Sequence, residues 1–174
     1  MLISPDYIEA NRELHARSKY GSTGSRWATQ IYELARQNKA RDILDYGCGK
    51  GSLMIALKEK FDASVKCRLL EYDPAIAGKE TKPARVDIVV CTDVLEHVEP
   101  ECLDAVLDDL KTLTRRAIFL VVSTMPASKV FADGRNAHLI VQPMHWWLPM
   151  LMERFRLIRA ADLGPVFQVI GFPL

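Results

Sequence analysis

The chain predicts a doubly wound α/β domain: a mainly parallel sheet with helices on both faces and an antiparallel C-terminal strand. Three observations carry this expectation. The apolar runs at 86–91 and 117–122 are those of strands covered on both faces. Helical stripes alternate with such runs, the pattern of successive βαβ units. A glycine cluster, Gly47, Gly49 and Gly51, stands between the first apolar run and a helical segment, where the first βα turn of an open sheet binds ligands.

The elements follow in order. Residues 5–17 read as a helix with Tyr7, Ile8 and Leu14 as its apolar positions. Residues 19–25 read as a loop, because two glycines and three small hydroxyl residues punctuate them. Helical spacing returns over 27–38, where Trp27, Ile31, Leu34 and Ala35 recur on one face. The run 41–45 is the first strand, and 52–60 is a helix containing Leu53, Ile55, Ala56 and Leu57. A second strand spans 65–72 and is stopped by Asp73-Pro74; a third spans 86–91. Only 13 residues separate Asp73 from Asp87, too few for a helix, a strand and two turns, so the element usual there is shortened or lost.

Apolar residues at 103, 106, 107, 110 and 113 form a helical stripe over 101–113. Arg115-Arg116 reads as a helix-end pair that favours the helix dipole, and 117–122 is the next strand. The tail holds a helix over 146–153, then strands at 155–159 and 166–170 as a hairpin around Gly164-Pro165. Trp146 and Trp147 cannot face one way on a helix, so one is core and the other lines a pocket or the surface.

With 174 residues, no internal repeat and no linker, 1–174 reads as one domain. A net charge of +1 gives no electrostatic reason to expect nucleic acid or a membrane as partner. Cys48, Cys67, Cys91 and Cys102 show no C-x-x-C pair, and reduced thiols in a cytoplasm account for them. The first ten residues carry Asp6 and Glu9 and no signal-peptide core. No apolar run approaches the roughly 20 residues of a membrane helix. A cytoplasmic location is expected.

The informative segment is Leu44-Asp45-Tyr46-Gly47-Cys48-Gly49-Lys50-Gly51. Glycines there permit a tight turn and close approach of backbone N–H groups to a ligand. Asp73, at the end of the second strand, is placed to accept hydrogen bonds from ribose hydroxyls. A dinucleotide fold shares these features, but its fingerprint is G-x-G-x-x-G, whereas Ser52 occupies the sixth place here. Asp45 decides further: a carboxylate two residues before the first glycine repels a pyrophosphate and suits a ligand with a positive amino group. A nicotinamide-dependent oxidoreductase is disfavoured on both counts.

The run Asp45 to Gly51 resembles motif I of the class I S-adenosylmethionine-dependent methyltransferases. Tyr72-Asp73-Pro74 resembles their acidic motif. Val86 to Val98, ending Asp93-Val94-Leu95-Glu96-His97-Val98, is similar to the fourth-strand segment of small-molecule members. The resemblance implies S-adenosylmethionine as cofactor. Gly47, Cys48 and Gly49 would then pass under its methionine part, with Asp45 near the amino group. Asp73 would hold the ribose, Tyr72 or Pro74 would lie against the adenine, and Thr92 and Asp93 would sit beside the sulfonium. Residues 1–38 would be N-terminal helices capping the cofactor site, with the sheet core in 39–174. The third-strand adenine contact stays open, because that region is the short loop 79–83.

His97 and His138 are the candidate catalytic residues, each a base or orienting group near the acceptor. Each also has a structural reading: His97 shaping the turn before the 101–113 helix, His138 a loop histidine bonded to backbone. Asp93, Glu96 and His97 are similar to the E-x-x-E-H cluster that binds a divalent ion in small-RNA 2′-O-methyltransferases and ubiquinone-pathway O-methyltransferases. With His138 or His145 they could hold Mg²⁺ or Mn²⁺. Asp in first place shortens the reach, so no metal is expected. Neither the Asn/Asp-Pro-Pro-Tyr motif of exocyclic-amine methylation nor a Pro-Cys nucleophile is present. The expected function is methyl transfer to O or N of a small-molecule acceptor. The alternatives are a metal-dependent RNA-end 2′-O-methyltransferase and a catalytically idle, cofactor-binding regulatory subunit.

Overall fold

The computed structural model describes residues 1–17, 21–61 and 66–174. The expected loop at 19–20 and the first residue of the expected second strand, 65, lie outside the described residues. Ser4 opens helix α1 (Pro5–Arg17): its hydroxyl accepts the Tyr7 N–H at 3.2 Å, and Pro5 occupies the first helical position, where no N–H is needed. A 3₁₀ turn (Gly24–Trp27) leads into α2 (Ala28–Gln37). There follow β1 (Asp42–Tyr46), α3 (Ser52–Lys60), β2 (Arg68–Tyr72), β3 (Val86–Thr92), α4 (Leu103–Leu113) and β4 (Thr114–Ser123). The chain ends with α5 (Met144–Met152), β5 (Phe155–Asp162) and β6 (Val166–Pro173).

Among the described residues, six strands form one sheet in the order β2-β1-β3-β4-β6-β5. β2, β1, β3 and β4 run parallel, and β6 and β5 are antiparallel. Period-2 alternation divides the core into two layers. Leu44, Val89, Cys91, Leu120 and Val122 face α4 and α5, packing with Leu107, Leu110, Trp147 and Leu151. Ile43, Ile88, Val90, Phe119 and Val121 face α2 and α3, packing with Ile31, Leu34, Leu53 and Leu57. Trp147 is fully buried, while its neighbour Trp146 is 38% exposed. No helix is long and apolar enough to cross a membrane among the described residues.

Two details depart from the expected elements, and a third bears out the expected loss. β4 begins at Thr114, so Arg115 and Arg116 are strand residues rather than a helix end. They serve Asp87, which is fully buried: the Arg115 guanidinium donates to its carboxylate at 2.6 Å, and that of Arg116 lies at 3.3 Å. The tail strands run longer than expected, because the hairpin pairs Phe155 with Pro173 and Asp162 with Phe167. Between β2 and β3 there is no further strand or helix. The chain turns tightly after Asp73, whose N–H donates to the Lys79 carbonyl at 2.9 Å.

Candidate active site

At the carboxyl ends of the parallel strands lies a cleft of about 550 Å³, within the range of small-molecule sites. Its floor is the turn after β1. The N–H groups of Gly47 and Cys48 both donate to the Tyr72 carbonyl, at 2.8 and 3.1 Å, which fixes the turn against the end of β2. Asp45, Gly47, Cys48, Gly49, Asp73, Pro74, Thr92 and Asp93 all line the cleft. The expected cofactor residues are thus brought together, with one exception.

Tyr72 is that exception. It shares the parity of Tyr46, so its ring points into the opposite layer and packs on Tyr46 with centroids 5.1 Å apart. Only its carbonyl serves the turn, and of the two adenine candidates Pro74 alone reaches the cleft.

Asp73 is buried, and its carboxylate accepts the Gly49 N–H and the Ala75 N–H, each at 2.9 Å. Asp45 is buried without such bonds. Burial first, then the charge of Glu71, pushes its carboxyl up to about 7, against the opposing pull of Lys79. Lys79 comes from the shortened segment after β2 and donates to the Gly49 carbonyl at 3.2 Å and the Glu71 carboxylate at 3.0 Å. It braces the glycine turn from outside the cleft, a role the sequence did not signal.

Asp93 sits at φ +55, a left-handed conformation uncommon for a residue with a side chain, and its carboxylate accepts the Thr23 hydroxyl at 2.5 Å. That bond ties the segment before α2 across the mouth of the cleft. Of the N-terminal region expected to cap the site, α1 and residues 21–26 line the cleft, whereas α2 lies on the sheet face. α1 is anchored from Ser4 to Glu99 by two hydrogen bonds, 2.8 and 2.6 Å, and from the Tyr7 hydroxyl to the His97 carbonyl at 2.6 Å. Tyr7 packs edge-on against Phe131 of the segment after β4, which closes the far wall.

Between those walls, Glu96, His97 and His138 bring one ligand atom each within 4.8 Å of one another. Asp93 is not in this group, because its carboxylate is turned to Thr23, and His145 is exposed at the start of α5 and outside the cleft. The acid–imidazole cluster therefore joins residues on the two sides of β4 and replaces the sequence-adjacent trio. His97 Nδ1 lies 2.6 Å from the Ala137 carbonyl and His138 Nδ1 2.5 Å from the Met125 carbonyl. A carbonyl can only accept, so both Nδ1 atoms carry hydrogen. The rings meet edge to face at 4.6 Å.

Burial, then the nearby His138, pulls His97 down to about 3, so its imidazole is neutral throughout the physiological range and a weak base. Glu96 is fully buried; one carboxyl oxygen accepts the Ser123 N–H at 3.0 Å, and the other has no partner. Burial, then Asp93, pushes its carboxyl up to about 8, which keeps it protonated at neutral pH.

A family model for the methyltransferase domain matches residues 17–174. This chain belongs to the methyltransferase domain family. It is an S-adenosylmethionine-dependent methyltransferase, as Asp45 and the glycine spacing anticipated. No curated protein matches the chain in sequence. Among solved structures, the methyltransferase is similar to 1,6-didemethyltoxoflavin-N1-methyltransferase of Burkholderia thailandensis with bound 1,6-didemethyltoxoflavin and S-adenosylhomocysteine. That likeness has a TM-score of 0.70 at 15% identity, over 99% of this chain and 92% of the other. Magnesium protoporphyrin IX methyltransferase of Synechocystis PCC 6803 gives 0.57 at 18% identity, over 86% and 83%. Mitomycin 7-O-methyltransferase gives 0.59 at 19%, over 87% of this chain but only 55% of its own. At such identities the likeness is one of fold.

Proposed function

We propose that the methyltransferase carries a methyl group from S-adenosylmethionine to an oxygen or nitrogen of a small-molecule acceptor. The observation that carries this reading is the continuity of the cleft, which joins the Asp45–Asp73 end to the Glu96–His138 end without an intervening wall. When bound, the cofactor supplies an electrophilic methyl group on a sulfonium centre. Gly47, Cys48 and Gly49 would cradle its methionine part and Asp45 its amino group, an ammonium that draws a carboxyl near 7 back to the charged form. Asp73 has lone pairs left for ribose hydroxyls beyond its two backbone bonds, and Pro74 lies on the adenine side.

The protein's contribution is orientation, worth up to about 7–11 kcal/mol where reacting atoms are held in line. α1 and the segment after β4 exclude water and hold the acceptor. His138, with Nδ1–H fixed by Met125, offers Nε2 as a proton acceptor for a hydroxyl, and the protonated Glu96 can donate to the acceptor's heteroatom. His97 orients this pair. Solved relatives of like fold that are named for N- and O-methylation of small molecules support the acceptor class.

One observation favours a second reading. Glu96, His97 and His138 also have the composition of a divalent-cation site, with both imidazoles braced by carbonyls, as ligating histidines are. That cation would activate a hydroxyl, including an RNA 2′-hydroxyl. Turnover to S-adenosylhomocysteine across an acceptor panel, with and without chelator, tests both. Chelator-insensitive methylation of a small molecule supports the first reading, chelator-sensitive methylation of RNA ends supports the second, and no turnover with any acceptor overturns both.

A further inference from the structure

Two cations line the cleft, Arg26 and Lys129, and neither has an ion pair or side-chain hydrogen bond among the described residues. The cleft has four carboxyl groups of its own, and none answers these two. Asp73 is held by backbone N–H groups, Asp93 by Thr23, and Asp45 and Glu96 are buried away from the rim.

Backbone hydrogen bonds fix the two segments that carry these cations to the walls of the cleft. On one side, the Lys129 carbonyl accepts the Ala137 N–H at 3.0 Å, and the Ala137 carbonyl in turn accepts from His97. On the other, the Arg26 N–H donates to the Thr23 carbonyl at 3.2 Å in a 3₁₀ turn, whose i and i+3 side chains lie one above the other. Thr23 is in turn bonded to Asp93. A cleft lined by unpaired positive charge attracts and orients an anion, and its walls concentrate that field.

From this we infer that the methyl acceptor is an organic anion whose carboxylate or phosphate is held by Arg26 and Lys129 while its nucleophilic oxygen or nitrogen faces Glu96 and His138. The inference rests on the cofactor and acceptor halves assigned under the proposed function. It narrows the acceptor from any small molecule to one with an apolar body and an anionic group, since Tyr7, Val94, Val98 and Ala127 supply the remaining wall.

The test uses the enzyme saturated with S-adenosylhomocysteine and titrated with benzoate, phenyl phosphate and the uncharged isostere benzamide. At least one anion should bind tenfold or more tightly than benzamide, with a preference that shrinks as salt is raised. In Arg26→Gln and in Lys129→Gln that preference should fall at least threefold while the affinity for S-adenosylhomocysteine stays within twofold. Equal binding of anions and amide, or binding of none, overturns the inference while leaving the cofactor site intact. Loss of S-adenosylhomocysteine affinity in Arg26→Gln assigns Arg26 to the cofactor's carboxylate and also overturns it. Failure of the unmodified enzyme to bind S-adenosylhomocysteine at all overturns this inference and the proposed function together.

Discussion

Gly21 lies directly on Gly49: the carbonyl of Gly21 accepts the Lys50 N–H at 2.9 Å, and a Cβ on Gly49 would stand 2.7 Å from that oxygen. The space a side chain would fill at Gly49 is thus taken by the protein's own backbone, where the sequence had pointed to ligand. Gly49 also holds φ +49, which costs a residue with a side chain roughly 1–2 kcal/mol. Gly49→Ala should lower the melting temperature by several degrees and weaken S-adenosylhomocysteine binding, because the segment that closes the cleft is pushed off. Unchanged melting with lost binding would return Gly49 to the role of a ligand cradle alone.

Asp73 accepts two backbone hydrogen bonds that Asn can match only in part. Asp73→Asn leaves one acceptor oxygen for the Gly49 and Ala75 N–H groups and removes the charge that strengthens both. Hydrogen bonds to charged groups are worth about 1.5–3 kcal/mol, so affinity for S-adenosylhomocysteine should fall about tenfold or more, with a drop in thermal stability. Glu71, the other acid at the end of β2, is engaged by Lys79 and lies outside the cleft lining. Glu71→Gln should leave affinity nearer the unmodified value than Asp73→Asn does; the reverse order would move the ribose contact.

Asp45 gives a pH-dependent prediction with a definite sign. Its carboxyl is raised to about 7 in the folded chain from the ordinary 3.8, chiefly by burial. Its favourable contribution to folding is therefore full below the ordinary value and lost as pH rises through about 7. Asp45→Asn should melt higher than the unmodified enzyme at pH 8, by roughly 2–4 °C for each kcal/mol recovered, with the gain vanishing near pH 4. In the unmodified enzyme, cofactor affinity should weaken as pH falls below 7 and the carboxylate protonates. A melting gain that is flat in pH would contradict the burial argument.

The two histidines should separate by what their loss affects. His97 is buried, neutral and bonded to Ala137, so His97→Ala should chiefly lower thermal stability. His138→Ala should leave cofactor affinity unchanged and cut turnover on a hydroxyl acceptor about 10²- to 10⁴-fold, the usual worth of a positioned base. A rate profile whose acidic limb disappears in His97→Ala would contradict this division.

Much of the fold was legible because it rests on local pattern. The apolar runs around Ile88 and Ile118 announce strands buried on both faces, and the Leu103–Leu113 stripe announces α4. The short distance from Asp73 to Asp87 announces the missing element. Asp45, Gly47 and Gly49 were legible through spacing. What was not legible depends on contacts between distant segments. The inward turn of Tyr72 follows from parity with Tyr46, the reason for Gly49 from the approach of Gly21, and the His97–His138 contact from a long excursion between β4 and α5. Lys79, Thr23 and Arg26 carry no motif, and only their positions beside the glycine turn and the cleft give them meaning.

The most direct test of the central claim is a calorimetric titration of S-adenosylhomocysteine, and separately of NAD, into the unmodified enzyme and Asp45→Ala at pH 8. The account predicts one-to-one binding of S-adenosylhomocysteine to the unmodified enzyme, at least a tenfold loss in Asp45→Ala, and no heat from NAD. Binding of NAD in place of S-adenosylhomocysteine, or an Asp45→Ala variant that binds as tightly as the parent, would contradict it.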